Sequence, residues 1–315
     1  MVELIVAFVL DLFLGDPPYS WHPVRLIGRW IEKTEAWLRA NLPDLGLAGW
    51  IQALLTPSVV FILVWFLTEV AFQISPTLKS VLVIYFIYSS ISVKDLASEA
   101  KRVHAALHSQ KLDSARKNLS RIVGRDTGDL AESDIIRGAV ETVAESFVDG
   151  VLSPLFYAAL GGAPLVMAYK AINTLDSMVG LRTPKYKEYG KAAARLDAIA
   201  NWIPARISWL LIGLAAFFVN GRANEAWHIA TQNFQDAGWK NSIIPEAAFA
   251  GALGVELGGS NFYSGQKFET PKLGIAMRTL EPGDIRRSVH LMKASSWAAL
   301  VFAIILHALA QMIFS

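Results

Sequence analysis

The 315-residue chain contains no cysteine and carries little charge for its size. Without cysteine it forms no disulfide, and it has neither a thiolate nucleophile nor a cysteine-ligated zinc ion. Charged residues make up 18% of the sequence, whereas a soluble domain carries about 25%. The formal net charge of +2 provides no basic surface of the kind that binds nucleic acid. We therefore expect no nucleic-acid partner, and we expect part of the chain to lie in a solvent other than water.

Common nucleotide-binding and catalytic motifs are also missing. The sequence has no GxxxxGK[ST] phosphate loop, no GxSxG nucleophile elbow and no HExxH zinc motif. His104 and His108 have the spacing of metal ligands on a helix, but no further His or Cys lies near them to complete a site. Any nucleotide must therefore bind without the familiar loops, and a zinc site is not predicted.

Apolar segments, by contrast, are abundant. They cover about residues 1–14, 50–72, 80–93, 151–169, 207–221 and 294–315. A spanning helix needs about 20 apolar residues, so the second, fourth and sixth segments qualify by length and the others are shorter. Residues 1–14 lack the positive start and the cleavage site of a signal peptide, so we expect them to remain in the mature protein. The predicted fold class is an all-α, polytopic integral membrane protein, with residues 1–315 forming a single membrane-embedded domain.

Lys and Arg residues predict the topology, because short cytoplasmic loops are enriched in them. Residues 15–49 contain four of them, and the polar block 94–149 contains nine. Both regions are therefore predicted to be cytoplasmic, the polar block as helices. A simple crossing by 151–169 would then place the basic residues that follow it outside. Gly161, Gly162 and Pro164 interrupt that segment, so we expect a broken or re-entrant helix there.

Two carboxylate and amide pairs lie beside these apolar segments. Asn173 and Asp176 are three residues apart, and Asp197 and Asn201 are four apart. On helices, each pair would present its oxygens from one face. Hard oxygen ligands at a membrane boundary suggest a metal and phosphate site. The alternative is a structural role, in which the side chains cap helices or pair with nearby arginines.

A row of charged residues follows the end of the polar block. Arg137, Glu141, Glu145 and Asp149 are each four residues apart and lie opposite a wide apolar face formed within 135–148. The row is either a solvated face with an Arg137 to Glu141 ion pair or a site for a metal ion or an ammonium group.

An acidic residue inside the first apolar segment is a further candidate. Asp11 needs a partner if it is buried, and Arg25 is the obvious one. The alternative is that this pair is purely structural.

Seven sequence blocks, in this order, resemble the membrane-bound adenosylcobinamide-phosphate synthases of cobalamin biosynthesis, the CobD/CbiB family. They are LDLFLGDPP, HPVRLIGRWIE, GRDT, ETVAESFVDGVLSPLFYAALGGAP, NTLDSMVG, RLDAIANWIPAR and AGALGVELGG. The resemblance extends from about residue 10 to residue 287. It departs in 232–248, where the chain reads QNFQDAGWKNSIIPEAA and lacks the histidine and the Pro-Asn step of the family pattern HxSPNAGWPEAA.

The resemblance implies a carbon–nitrogen ligase that uses ATP to join adenosylcobyric acid to an amino-alcohol phosphate of the aminopropanol phosphate type. Mg²⁺ is the implied metal, with Asp176 and Asp197 as its ligands, and Glu141 or Glu145 would hold or deprotonate the amine. The residues expected to bind substrate or phosphate are Arg25, Arg125, Asp126, Asn173, Arg195, Asn201 and Arg206. The active site is expected to face the cytoplasm from the cell membrane.

Two other functions remain open at this stage. The first is a Mg²⁺-dependent membrane transferase of prenyl or phospho-alcohol groups, which also uses Asp and Asn pairs at a membrane interface. The second is a non-catalytic membrane regulator that shares the fold. Expected partners are the corrinoid, the amino-alcohol phosphate and the lipid bilayer. Homo-oligomers or association with other enzymes of the cobalamin pathway are left open.

Overall fold

The chain is predominantly helical, as predicted. The computed structural model describes residues 1–16, 19–181, 183–263 and 265–314, and is 75% helical. Pro17 and Pro18 of the LGDPP block lie outside the described residues. The helices are α1 (Val2–Leu14), α2 (Pro23–Asn41), α3 (Leu45–Ile74), α4 (Pro76–Tyr88), α5 (Val93–His108), α6 (Leu112–Leu119), α7 (Glu132–Phe147), α8 (Ser153–Val179), α9 (Lys191–Ala200), α10 (Trp202–Asn220), α11 (Ala223–Gln232), α12 (Phe234–Ala237), α13 (Ile243–Leu253) and α14 (Gly283–Phe314).

Five helical stretches of the described chain are long and apolar enough to cross a membrane, which makes this a multi-pass membrane protein. They are Leu45–Ile74, Pro76–His108, Glu132–Val179, Trp202–Asn220 and Gly283–Ile313. Each contains one of the predicted apolar segments or most of it. The stretches are longer than those segments. Most of the predicted segments end at a charged residue, whereas the helices continue through such residues. With 13 residues, α1 is about 20 Å long, too short to span the hydrocarbon core.

The predicted break in the fourth apolar segment is confirmed. Inside α8 the helix is interrupted at Gly161 and Gly162, and Gly162 has φ 63° and ψ −152°, a conformation that is essentially confined to glycine. A Cβ at Gly161 would lie 2.7 Å from the Cβ of Leu165. Pro164 follows at the start of the second half of the helix, where its missing N–H costs nothing.

The chain forms two compact units. The first comprises Met1–Ser92, Asp149–Asn201 and Leu300–Ser315, and the second comprises Val93–Val148 and Trp202–Ala299. In the first unit, α3 packs against α8, α4 and α9. In the second, α13 packs against α7, α10 and α11. Whether the whole chain is one membrane-embedded domain stays a prediction.

The wide apolar face of α7 is buried. Ile135, Ile136, Val140 and Phe147 are all inaccessible to solvent or nearly so. Helices α5, α6 and α13 pack around α7 within the second unit. These contacts fix the position of the charged residues on the remaining arc of the helix.

The second unit also contains a β-hairpin that the sequence patterns did not predict. Strands β1 (Leu257–Tyr263) and β2 (Gln266–Leu273) pair antiparallel. Gly258 has φ 80°, and a Cβ there would lie 2.0 Å from the carbonyl oxygen of Pro271. The glycines that end the AGALGVELGG block therefore allow the two strands to approach each other closely.

Candidate functional site

The two predicted carboxylate and amide pairs meet where α8 and α9 pack together. Asn173 and Asp176 lie near the end of α8, Asp197 lies on α9, and Asn201 caps the end of α9. The Asn201 amide nitrogen donates to both carboxylate oxygens of Asp197, each at 3.1 Å. Asn173 also hydrogen-bonds Asp197. Pairs that are separate in sequence therefore form one amide–carboxylate–amide cluster.

The environment of Asp197 has two opposing effects on its charge. Burial raises the pKa of the Asp197 carboxyl group above its ordinary value, whereas hydrogen bonds from Asn201 and Asn173 favour the carboxylate and lower it. The net direction is upward. A nearby cation would offset the cost of burying this carboxylate.

Asn201 is held in place from its other side by two hydroxyl groups. Its amide oxygen lies 2.6 Å from Ser153 Oγ and 2.9 Å from Tyr169 Oη. Both groups can donate, and the Asp197 carboxylate accepts from the amide nitrogen, so the network fixes which way the amide points. Tyr169 is further fixed by stacking on Tyr157, with ring centroids 5.0 Å apart.

Sequence reasoning missed Ser153 and Tyr169. Both are buried within an apolar helix. A buried hydroxyl needs a hydrogen-bond partner, so the unused signal was a hydroxyl group in an otherwise apolar segment. No local spacing, however, connects either residue to Asn201.

Asp176 owes its position to a glycine. A Cβ at Gly180 would lie 1.9 Å from Asp176 Oδ1. The absence of a side chain at Gly180 therefore leaves room for the carboxylate, which is half-buried one turn after Asn173. The space that this carboxylate occupies is a physical reason for the glycine at the end of NTLDSMVG.

The cluster fits Mg²⁺ by the chemistry of its donors. Among the described residues, no group of three or more His, Cys, Asp or Glu side chains is assembled around a common point. Mg²⁺ does not require one, because it commonly binds through one or two carboxylates and completes its shell with water and substrate phosphates. Asp176 and Asp197 would be those carboxylates. Their role as metal ligands stays a prediction.

The two arginines predicted for this region lie in different settings. Arg195 is exposed on α9. Arg206, in the second unit, donates to the carbonyl oxygen of Gly238 and to Asn241 Oδ1, and its guanidinium lies 4.1 Å from the ring centroid of Trp202. Arg206 thus orders part of the divergent 232–248 segment. Phosphate binding by either arginine stays a prediction.

A second cluster lies in the other unit, around Glu141 of α7. Arg125 donates to Glu141 Oε2 at 2.5 Å and to Asn261 Oδ1 at 2.6 Å. Glu141 Oε1 accepts from the backbone N–H of Gly258 at 2.8 Å. Arg137 lies 3.4 Å from the same oxygen and donates to the carbonyl oxygen of Gly258 at 2.6 Å. The ion pairs therefore join α7 to the loop before it, and the hydrogen bonds to Gly258 and Asn261 join both to the hairpin.

The charged row on α7 differs from a solvated face. Arg137 and Glu141 form the predicted pair, but both are buried, because Arg125 and the hairpin cover this arc of the helix. Glu145 is exposed, and Asp149 is half-buried in a short π-helical turn, Val148–Leu152, between α7 and α8. Of the two glutamates predicted to handle the amine, only Glu145 faces solvent.

Asp126 and Arg25 complete the set of predicted residues. The backbone N–H of Asp126 donates to the carbonyl oxygen of Phe262, and its Oδ2 accepts from Gly265 N–H at 2.7 Å. Asp126 thus ties the GRDT loop to the hairpin. Arg25 is exposed on α2 and Asp11 is fully buried on α1. Substrate contacts of Asp126 and Arg25, and the pairing of Arg25 with Asp11, stay predictions.

Glu246 of α13 is a third residue that sequence reasoning missed. Burial, together with the charges of Glu141 and Glu145, raises the pKa of the Glu246 carboxyl group well above its ordinary value. The available signal was a single ionisable residue in an otherwise apolar helix.

Glu246 predicts a pH-dependent stability. The folded state keeps the proton at pH values where the unfolded state has lost it, so the associated stability is present below about pH 4.5 and is lost as pH rises through the higher folded pKa. The melting temperature of Glu246→Gln should therefore exceed that of the native protein by a margin that widens from acid to neutral pH. Glu225→Gln, at an exposed site in the same unit, is the control. A margin that does not change with pH would contradict this prediction.

The chain is similar to known proteins over almost its full length. The family model described as CobD/Cbib protein matches residues 4–292. The cobalamin biosynthesis protein CobD of Clostridium perfringens is 38% identical over 99% of this chain and 100% of its own length. CobD of Yersinia enterocolitica is 42% identical over 96% of both chains, and CbiB of Salmonella typhimurium is 40% identical over 95% of both. No solved structure matches the chain. On this full-length similarity, the chain belongs to the CobD/CbiB family.

Proposed function

We propose that this protein takes part in cobalamin biosynthesis as an ATP-dependent carbon–nitrogen ligase in the cell membrane. It would join one free carboxylate of adenosylcobyric acid to the amine of an amino-alcohol phosphate of the aminopropanol phosphate type. The observation that carries the proposal is the cluster of Asn173, Asp197 and Asn201, built from two blocks that resemble this family, in a chain similar throughout to proteins named for cobalamin biosynthesis.

The chemistry of amide formation matches these residue types. A carboxylate is a poor acyl donor, so it would first attack the terminal phosphorus of ATP, giving an acyl phosphate and ADP. The amine would then attack the acyl carbon and release phosphate, and a carboxylate side chain would take the proton that the ammonium group loses. Bound Mg²⁺ supplies charge neutralisation on the phosphates.

Different residues of the chain would bind the metal, bind phosphate and accept the proton. Asp176 and Asp197 would hold Mg²⁺, with Asn173 and Asn201 fixing the Asp197 carboxylate. Exposed Arg195 is suited to bind phosphate, because its guanidinium presents paired donors. Of the two glutamates of the α7 row, Glu145 is the exposed one, and it would accept a proton from the amine.

A reconstituted assay tests the proposal directly. The purified protein in nanodiscs should convert ATP, adenosylcobyric acid and aminopropanol phosphate into adenosylcobinamide phosphate, one ADP and one phosphate for each amide formed. Product formation from a prenyl diphosphate, with no need for ATP, would favour the transferase. If Asp176→Asn combined with Asp197→Asn leaves cobalamin synthesis in cells unimpaired, the protein is a regulator and not the ligase.

The break in α8 leads to a prediction about sidedness. If this segment re-enters the cytoplasmic face, single cysteines placed at Lys111 and Lys185 should both be labelled from the cytoplasm by a membrane-impermeant maleimide. Both positions are exposed, and the absence of native cysteine leaves no background. Labelling from opposite sides would show that the segment crosses the membrane, and a wholly cytoplasmic active site would then be wrong.

A further inference from the structure

Helix α2 carries an exposed apolar surface next to an exposed basic one. Leu26, Trp30 and Trp37 are 48%, 38% and 64% exposed, and at about 100° per residue they fall within about 40° of one another around the helix axis. Arg29 and Lys33 are also exposed and lie directly beside them on the helix surface. We call the first set the apolar strip of α2 and the second its basic strip.

The apolar strip is not a part of the helix that packs inside the protein. The buried residues of α2 include Ile27, Ile31 and Leu38, and α2 packs on α3 and α8 within its unit. Leu26, Trp30 and Trp37 point about 90° or more away from the centre of that buried face. Exposed tryptophans of this kind, next to Lys and Arg, are typical of helices that lie in a membrane interface.

Both ends of α2 are tied to apolar segments. Three residues separate its end at Asn41 from Leu45, the first residue of the spanning helix α3. Asp44 caps α3 by accepting from the N–H groups of Gly46 and Leu47, which fixes the start of that helix. Eight residues separate the start of α2 from Leu14, the exposed apolar end of α1. A connection of three residues reaches at most about 14 Å, so the end of α2 must remain near the bilayer surface.

We propose that α2 is an interfacial helix that binds anionic phospholipid headgroups. The apolar strip would enter the boundary between headgroups and acyl chains, the basic strip would contact lipid phosphates, and exposed Glu32 on the far flank would face water. The occupant is the bilayer itself, because only three residues join the helix to a spanning segment and its charge is complementary to an anionic surface. This inference does not depend on the proposed reaction.

Spin labelling tests the placement. Single cysteines at Leu26, in the apolar strip, and at Glu32, on the opposite flank, would carry a nitroxide in nanodiscs of phosphatidylcholine and phosphatidylglycerol. At residue 26, collisions with oxygen should exceed those with a water-soluble nickel chelate, and residue 32 should show the reverse. Equal access of the nickel chelate to both labels would overturn the proposal. Dipolar broadening between labels at residue 26 would also overturn it, since it would show that a second copy covers the strip.

Lipid binding tests the charge preference. The detergent-purified protein should bind fluorescent phosphatidylglycerol more tightly than fluorescent phosphatidylcholine. Lys33→Gln should weaken the binding of phosphatidylglycerol about fivefold, the effect expected from one basic residue near an anionic surface. Lys117→Gln, which removes an exposed charge from α6, is the matched control and should change nothing. Equal affinity of the native protein for the two lipids, or an unchanged affinity in Lys33→Gln, would contradict the proposal.

Discussion

Asp197→Asn should lower turnover by about two to three orders of magnitude while the protein still inserts, extracts and migrates as the native protein does. The substitution is close to isosteric, and Asn201 Nδ2 can still donate to the remaining oxygen. Because burial raises the pKa of Asp197, the fold gains little from its charge, and a neutral side chain should not destabilise it. A loss of activity would then report on the reaction rather than on folding.

Controls separate this role from a general effect of charge removal. Asp113→Asn, at an exposed site on α6, should retain native activity. Tyr169→Phe removes one of the two hydroxyl groups that hold Asn201 and should have a smaller effect than Asp197→Asn, because Ser153 still contacts the amide oxygen. Retention of more than about a tenth of the activity in Asp197→Asn, or activity in a chelator without added Mg²⁺, would rule out the metal role.

The membrane-spanning architecture could be predicted from local sequence patterns, and so could the part that α8 contributes to the amide–carboxylate–amide cluster. Uncharged windows predicted the spanning helices because a bilayer admits long apolar helices and excludes charge. Gly161, Gly162 and Pro164 predicted the break because an uninterrupted helix disfavours glycine and proline. The spacing of Asn173 and Asp176 placed both on one face of α8, and this face meets Asp197.

Contacts between distant parts of the chain could not be predicted in this way. Ser153 and Asn201 are 48 residues apart, and Glu141 lies 117 residues from Gly258. The i, i+4 spacing of Arg137 and Glu141 is the same whether water or a hairpin covers that arc of the helix. The hairpin itself went unrecognised because its first strand has two glycines directly after Leu257, and glycines are depleted in strands and carry no alternating apolar pattern.

Glu141→Ala should be the most destabilising single change in the second unit. It leaves the buried guanidinium of Arg125 without its carboxylate, takes the same partner from Arg137, and removes the acceptor of the Gly258 N–H. Removing one member of a buried ion pair costs about 3–5 kcal/mol, since the remaining charge stays buried without compensation. The melting temperature, followed by tryptophan fluorescence in detergent, should fall by about 10 °C.

Glu145→Ala is the matched control because it lies one turn further along the same helix and is exposed. Its effect on the free energy of unfolding should stay within about 0.5 kcal/mol.

Comparing the variants at Glu141 and Glu145 also separates a structural role from a chemical one. Glu141→Gln keeps an acceptor for Gly258 and should recover part of the lost stability. If Glu145→Ala abolishes amide formation at native stability, Glu145 is the group that handles the amine and Glu141 anchors the hairpin. Native stability in Glu141→Ala would mean that the ion pairs around Arg125 do not hold the second unit together.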